Sequence, residues 1–218
     1  KLLPSENVRI GLVSFSGDVT TNQPLTNDSE SLKNEINNLN VFGATFTQAG
    51  LKQAEEILNN SDADNKHIIL LSDGVPTFSY QINNPDEWVD LDTRMTKPNI
   101  PESEFNYEKG IGDGQRMIYP IGAGPWGRLF YYHHGNSAIA QAKIAKDKGH
   151  SIWTISLYDP DGEPILAKIA SDDQAYEATS ENLAIIYQEI AGKINSAVKK
   201  SQVEDPMGQG FDVSEPVT

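Results

Sequence analysis

His67-Ile68-Ile69-Leu70-Leu71-Ser72-Asp73-Gly74 is the stretch that decides the fold. A short, wholly apolar run that stops abruptly at Ser-Asp-Gly is the pattern of a strand buried on both faces, as in a parallel sheet covered by helices on either side. Ligands of such sheets gather beyond the carboxyl ends of the strands. Asp73 follows the run, where an aspartate taken alone reads as a turn former or helix cap.

Moving upstream, Leu51, Ala54, Ile57 and Leu58 recur at helical spacing until Asn59-Asn60-Ser61, which predicts a helix with Thr47 as its N-cap. The loop before it reads Gly43-Ala44-Thr45-Phe46-Thr47. Earlier still, Val8 to Phe15 turns from alternating to continuously apolar and predicts a strand, ended by Ser16-Gly17-Asp18. A second extended stretch, Val19 to Leu25, leads to Asp28 or Ser29 as the cap of a helix that carries Leu32, Ile36 and Leu39 on one face.

Downstream, periodicity vanishes from about Phe78 to Tyr132. A loop longer than about 15 residues is uncommon in a compact domain, so this stretch reads as an insertion. Trp88, Tyr107, Tyr119, Trp126, Phe130, Tyr131 and Tyr132 give it enough aromatic area to be ordered. Regular structure resumes with a helix over Asn136 to Lys148, stopped by Gly149, and a strand over Ser151 to Leu157. Pro164 to Ala170 predicts a short helix. Leu183, Ile186, Ile190, Ile194 and Ala197 predict a long one, whose end at Lys199-Lys200 suits the helix dipole. Together these elements make an α/β fold with a doubly wound, mostly parallel sheet flanked by helices. The domain spans 1–200 with its insertion at 78–132, and Asp205-Pro206-Met207-Gly208 in 201–218 marks an exit segment or the start of a neighbouring domain.

Composition narrows the function. A net charge of −14 argues against nucleic acid, which requires clustered Lys and Arg. No apolar run approaches the roughly 20 residues of a membrane helix, so no membrane contact is expected of this segment. With no cysteine, disulfides, thiolate catalysis and cysteine-ligated metals are excluded.

Several other features have bland readings. His133-His134 point to opposite faces if extended and lack a recognisable third ligand, so they read as packed or solvated residues. His67 and His150 read as strand-edge residues. Gly110-Ile111-Gly112-Asp113-Gly114 lacks the strand and helix of a phosphate loop and reads as a turn. Asp159, Asp161 and Glu163 lack EF-hand spacing, and no GxSxG nucleophile elbow is present.

Taken together and in order, the Val8–Phe15 strand with Ser16-Gly17, the run Gly43-Ala44-Thr45-Phe46-Thr47-Gln48-Ala49-Gly50-Leu51, and Ile68–Leu71 with Ser72-Asp73-Gly74 resemble the von Willebrand factor A family, a Rossmann-like fold. The resemblance implies a divalent ion at the sheet edge, held by a DxSxS motif after the first strand, a threonine and an aspartate. Thr45 matches the threonine and Asp73 the aspartate. Their hard oxygens suit Mg²⁺ or Mn²⁺, and Gly43 and Gly74 are expected to let the two loops turn tightly.

The first strand and its DxSxS have no counterpart here, since only seven residues precede Val8 and the lone DxS, Asp212-Val213-Ser214, follows no apolar run. This predicts that the natural protein continues upstream and that metal binding by this chain is weak or absent. Within the family, the long insertion and the exit segment look like tip adhesins of Gram-positive sortase-assembled pili. That implies an extracellular, cell-wall or pilus protein that catalyses no reaction and binds host extracellular-matrix or cell-surface proteins, with a backbone pilin as its other partner. Two rival readings are an intracellular family member assisting an ATPase or metal chelatase, and a small-molecule-binding α/β enzyme.

Overall fold

Ile68, Leu70 and Ile152 pack on one face of a three-stranded parallel sheet, while Leu71, Trp153 and Ile155 pack on the other. The apolar run at 67–71, expected to be buried on both faces, is buried on the first through Ile68 and Leu70 but only partly on the second, where Ile69 is 38% exposed. The computed structural model describes residues 7–40, 43–123, 127–158 and 160–201. In chain order its elements are β1 (Ile10–Phe15), β2 (Val19–Thr26), α1 (Ser29–Asn37), α2 (Thr47–Asn59), β3 (His67–Ser72), β4 (Phe78–Ile82), β5 (Phe105–Gly112), β6 (Ile118–Ala123), β7 (Leu129–His133), α3 (His134–Asp147), β8 (Ser151–Leu157), α4 (Glu163–Ile169), β9 (Ala175–Ala178) and α5 (Leu183–Ser201).

The parallel sheet has the order β3-β8-β9, with β3 and β8 in register from His67↔Ser151 to Ser72↔Ser156. Leu51 of α2, Ala138, Ala142 and Ala145 of α3, and Ile165, Leu166 and Ile169 of α4 cover its first face. Ile186 and Ile190 of α5 cover the second. This is a mixed α/β, Rossmann-like architecture, doubly wound around a parallel sheet. β1 and β2 form a separate antiparallel hairpin, and among the described residues neither strand is hydrogen-bonded to β3.

Local signals explain most of the element ends. The Asp28 side chain accepts the Glu30 N–H at 2.9 Å and caps α1. Gly149 takes φ 88 after α3, the left-handed turn that stops a helix. One expectation fails: Thr47 is the first residue inside α2 and Phe46 is its N-cap, with no side-chain cap bond. The Thr47 hydroxyl is buried and caps nothing, and the Phe46 N–H donates to the Ser16 carbonyl at 2.9 Å, which ties the start of α2 to the β1–β2 turn.

The insertion is ordered, with β4 paired to β5 and β6 to β7, all antiparallel. Ile82, Ile100, Phe105 and Tyr132 form a second cluster that closes on Ala140 and Ile144 of α3. Helix α3 thus serves both cores, and the insertion is built onto the domain rather than hung from it. Between α2 and α3 lies the fully buried Glu55, which accepts from Lys148 Nζ at 2.6 Å and from Gln141 Nε2 at 2.7 Å. The exit segment after 201, Trp126, Asp159 and the Asp212-Val213-Ser214 match lie outside the described residues.

Candidate functional site

Helix α2 leads back to the start of β3, so its N-terminus sits beside the carboxyl end of that strand. Thr45 precedes this helix and Asp73 follows this strand, and their loops are fastened together. The Thr45 N–H donates to the Thr77 hydroxyl at 2.9 Å, while the Thr77 N–H donates to the Thr45 carbonyl at 2.9 Å. The Phe78 N–H reaches the same carbonyl at 3.3 Å. In the other loop, the Ser72 hydroxyl donates to the Gly74 carbonyl at 3.0 Å and tightens the turn around Asp73.

The Thr45 hydroxyl lies against the loop that carries Asp73. A Cβ built on Gly74 would lie 3.5 Å from Thr45 Oγ1, which places the hydroxyl against the Asp73-Gly74 turn. Thr45 is half-buried, and its Oγ1 has no hydrogen-bond partner among the described residues. Asp73 is exposed, and its carboxylate likewise has no partner among the described residues. Gly43 takes φ 97 and needs its glycine, as expected, whereas Gly74 does not adopt a left-handed conformation. What Gly74 provides is room beside Thr45.

The insertion reaches this edge through its own glycines. Gly112 has φ 144, and a Cβ there would fall 2.3 Å from the Thr77 carbonyl oxygen; at Gly114, φ 77, it would lie 3.3 Å from Ala44 Cβ. The end of β5 and the turn after it therefore rest directly on both loops. Asp113 fixes that turn by accepting the Gln115 N–H at 3.0 Å, the Arg116 N–H at 2.9 Å and Arg116 Nε at 2.6 Å. The Gln115 amide, then the Arg116 side chain, hold its carboxyl down at about 2. The glycine-rich stretch is a turn, as its sequence suggests, but one pressed against the candidate site.

The histidines are structural. His133 Nδ1 accepts the Asn136 N–H at 3.1 Å and caps α3. His134 is fully buried, with its Nδ1 2.8 Å from the Ser79 hydroxyl, and burial pushes its pKa down to about 4. His67 accepts from the Trp153 indole at 3.3 Å. His150, expected at a strand edge, is buried, with its Nε2 2.8 Å from Asn59 Oδ1, because α3 and α2 close over the start of β8.

A hydroxyl and a carboxylate are hard oxygen donors and fit a hard divalent ion, of whose roughly six ligands they would supply two. No group of three or more His, Cys, Asp or Glu side chains placed to hold a metal occurs among the described residues. Residues that sequence reasoning passed over include Thr77, whose clamp on Thr45 spans 32 positions and has no local signature. Another is Tyr158, at the end of β8 on the same sheet edge. No helix among the described residues is long and apolar enough to cross a membrane.

Residues 1–75 match the von Willebrand factor type A domain family. Over a 271-residue alignment covering 98% of the chain, it is 30% identical to the minor fimbrium subunit Mfa5 of Porphyromonas gingivalis, of whose length it spans 22%. Among solved structures, it is similar to the vWF domain of that type V pili tip protein, with a TM-score of 0.81 and 27% identity, covering 96% of this chain and 83% of the other. The pilus adhesin SpaC of Lactobacillus rhamnosus GG shares the fold, with a TM-score of 0.66 and 22% identity over 88% of this chain and 25% of the other.

Proposed function

Because the chain belongs to the von Willebrand factor A domain family, we propose that it is the adhesion module of a pilus-tip protein displayed at the cell surface. It binds a host extracellular-matrix or cell-surface protein and catalyses no reaction. Similarity to a type V pilus tip protein supports the pilus setting, without restricting it to sortase-assembled pili.

The observation that supports the reading is the approach of the Thr45 hydroxyl to the Asp73-Gly74 loop at the carboxyl edge of the parallel sheet, with the Thr45–Thr77 clamp joining the two loops. Thr45 and Asp73 would hold a Mg²⁺ or Mn²⁺ ion, with further oxygens supplied by a DxSxS strand. Once bound, the ion supplies a Lewis-acidic point for a partner's carboxylate. Thr45 and Asp73 orient it, and the Gly112-Asp113-Gly114 turn walls one side of the approach.

The test is adhesion of the full-length protein to purified extracellular-matrix proteins in Mg²⁺, in chelator, and with Asp73→Ala. The reading requires that chelator and substitution abolish the same binding. Adhesion indifferent to both would refute it.

A further inference from the structure

Tyr158 occupies an unusual position for a large aromatic residue. The parallel register pairs Ser72 with Ser156. β8 runs parallel to β3 directly beside it, so Tyr158, the residue after β8, leaves the sheet at the same carboxyl edge as the Asp73 loop, one strand over. Tyr158 thus lies on the candidate metal edge, on the side of Asp73 that leads toward β9.

Its backbone is left-handed, with φ 55, a conformation that bulky residues rarely adopt and that clusters at functional sites. The residue is 62% exposed. Yet the ring is not loose. The Ser180 N–H donates to the Tyr158 hydroxyl at 2.7 Å, the Ser180 hydroxyl lies 2.7 Å from the same oxygen, and the Tyr158 N–H reaches the Ala178 carbonyl at 3.3 Å. Both ends of the residue are pinned while its faces meet solvent.

Immobilising an exposed ring before any ligand arrives removes much of the entropy lost on binding, which is why tyrosine serves so well as an interface anchor. The ring face is electron-rich and attracts cations, and a net charge of −14 adds to that preference. We infer that Tyr158 is a ligand-contacting residue, an aromatic platform beside the Asp73 site that takes the lysine or arginine side chain next to the partner's carboxylate. The inference rests on the metal-site reading above and names the kind of segment that site accepts: an acidic residue flanked by a basic one.

The experiment uses the full-length protein in Mg²⁺, labelled with 3-fluorotyrosine, and two capped probes, Gly-Arg-Asp-Gly and Gly-Ala-Asp-Gly. The Tyr158 fluorine signal, assigned by its disappearance in Tyr158→Phe, should move when the arginine peptide is added. Tyr158→Ala should weaken the arginine peptide about two- to fivefold, the worth of an exposed cation–π contact, and leave both the alanine peptide and Mg²⁺ affinity unchanged. Tyr158→Trp should retain the preference for arginine.

An unmoved signal, or equal weakening of both peptides by Tyr158→Ala, overturns the inference. Asp73→Ala separates the two levels. If it abolishes both peptides while Tyr158→Ala does nothing, the metal site stands and the platform falls. Should both peptides survive Asp73→Ala, the metal-site reading fails on its own account. No binding of either peptide by the unaltered protein overturns both.

Discussion

Thr45 and Thr77 hold each other by two reciprocal bonds, amide to hydroxyl and amide to carbonyl, each 2.9 Å long. One joins the loop before α2 to the loop after β3 through a side chain, and substitution can remove it without touching the backbone bond. Thr77→Val keeps the volume and leaves the Thr45 N–H unpaired, a loss of about 1–2 kcal/mol. In a domain of this size that lowers Tm by about 2–8 °C. Thr45→Val deletes a hydroxyl with no described partner, so its Tm should barely change. Calorimetric melting of the two variants side by side checks the contrast, and equal losses would contradict it.

Gly112 and Gly122 separate strain from contact. Both have strongly positive φ, 144 and 140, but a Cβ on Gly122 meets nothing within 4 Å, whereas one on Gly112 strikes the Thr77 carbonyl at 2.3 Å. Gly122→Ala should cost only the backbone strain, about 1–3 kcal/mol. Gly112→Ala should cost more and loosen the Thr45–Thr77 clamp. Chemical denaturation gives the two values, and equal destabilisation would show that the insertion does not press on the site.

Acid should destabilise the protein below about pH 6.5. Burial lowers the His134 pKa to about 4, so the unfolded chain binds a proton that the folded one refuses. Its stabilising contribution is complete above the unfolded pKa and is lost as pH falls from about 6.5 toward 4, at a cost on the order of 3 kcal/mol. His67, His133 and His150 are also lowered, each by burial first, and act in the same direction. Replacing His134 with Gln should flatten the pH dependence of Tm between 4 and 6.5; an unchanged slope would place the effect elsewhere.

Much of the domain was legible because its signals are local. The apolar run at 67–71, the cap at Asp28 and the stop at Gly149 each act within a few residues, and each stands where the sequence put it. Strands β4 to β7 were not legible. They are short antiparallel ribbons, and β4–β5 and β6–β7 each carry a register shift, which breaks the alternation that would reveal them. Strand β9 was missed because its four residues, Ala175–Ala178, are too few to show a period. At the site, Thr45 and Asp73 stood out only through the order of the motifs around them. Thr77 and Tyr158 did not, since the roles of both depend on partners 22 or more positions away.

The central claim is that Thr45 and Asp73 are two ligands of a divalent ion whose remaining protein oxygens come from a DxSxS strand. The direct test is calorimetric titration of Mg²⁺ into three proteins: this chain, the chain fused at its N-terminus to a strand carrying DxSxS, and the Asp73→Ala variant of that fusion. The account predicts weak or undetectable binding to the first, clear one-site binding to the second and its loss in the third. Equally tight binding to all three would contradict it and place the ion elsewhere.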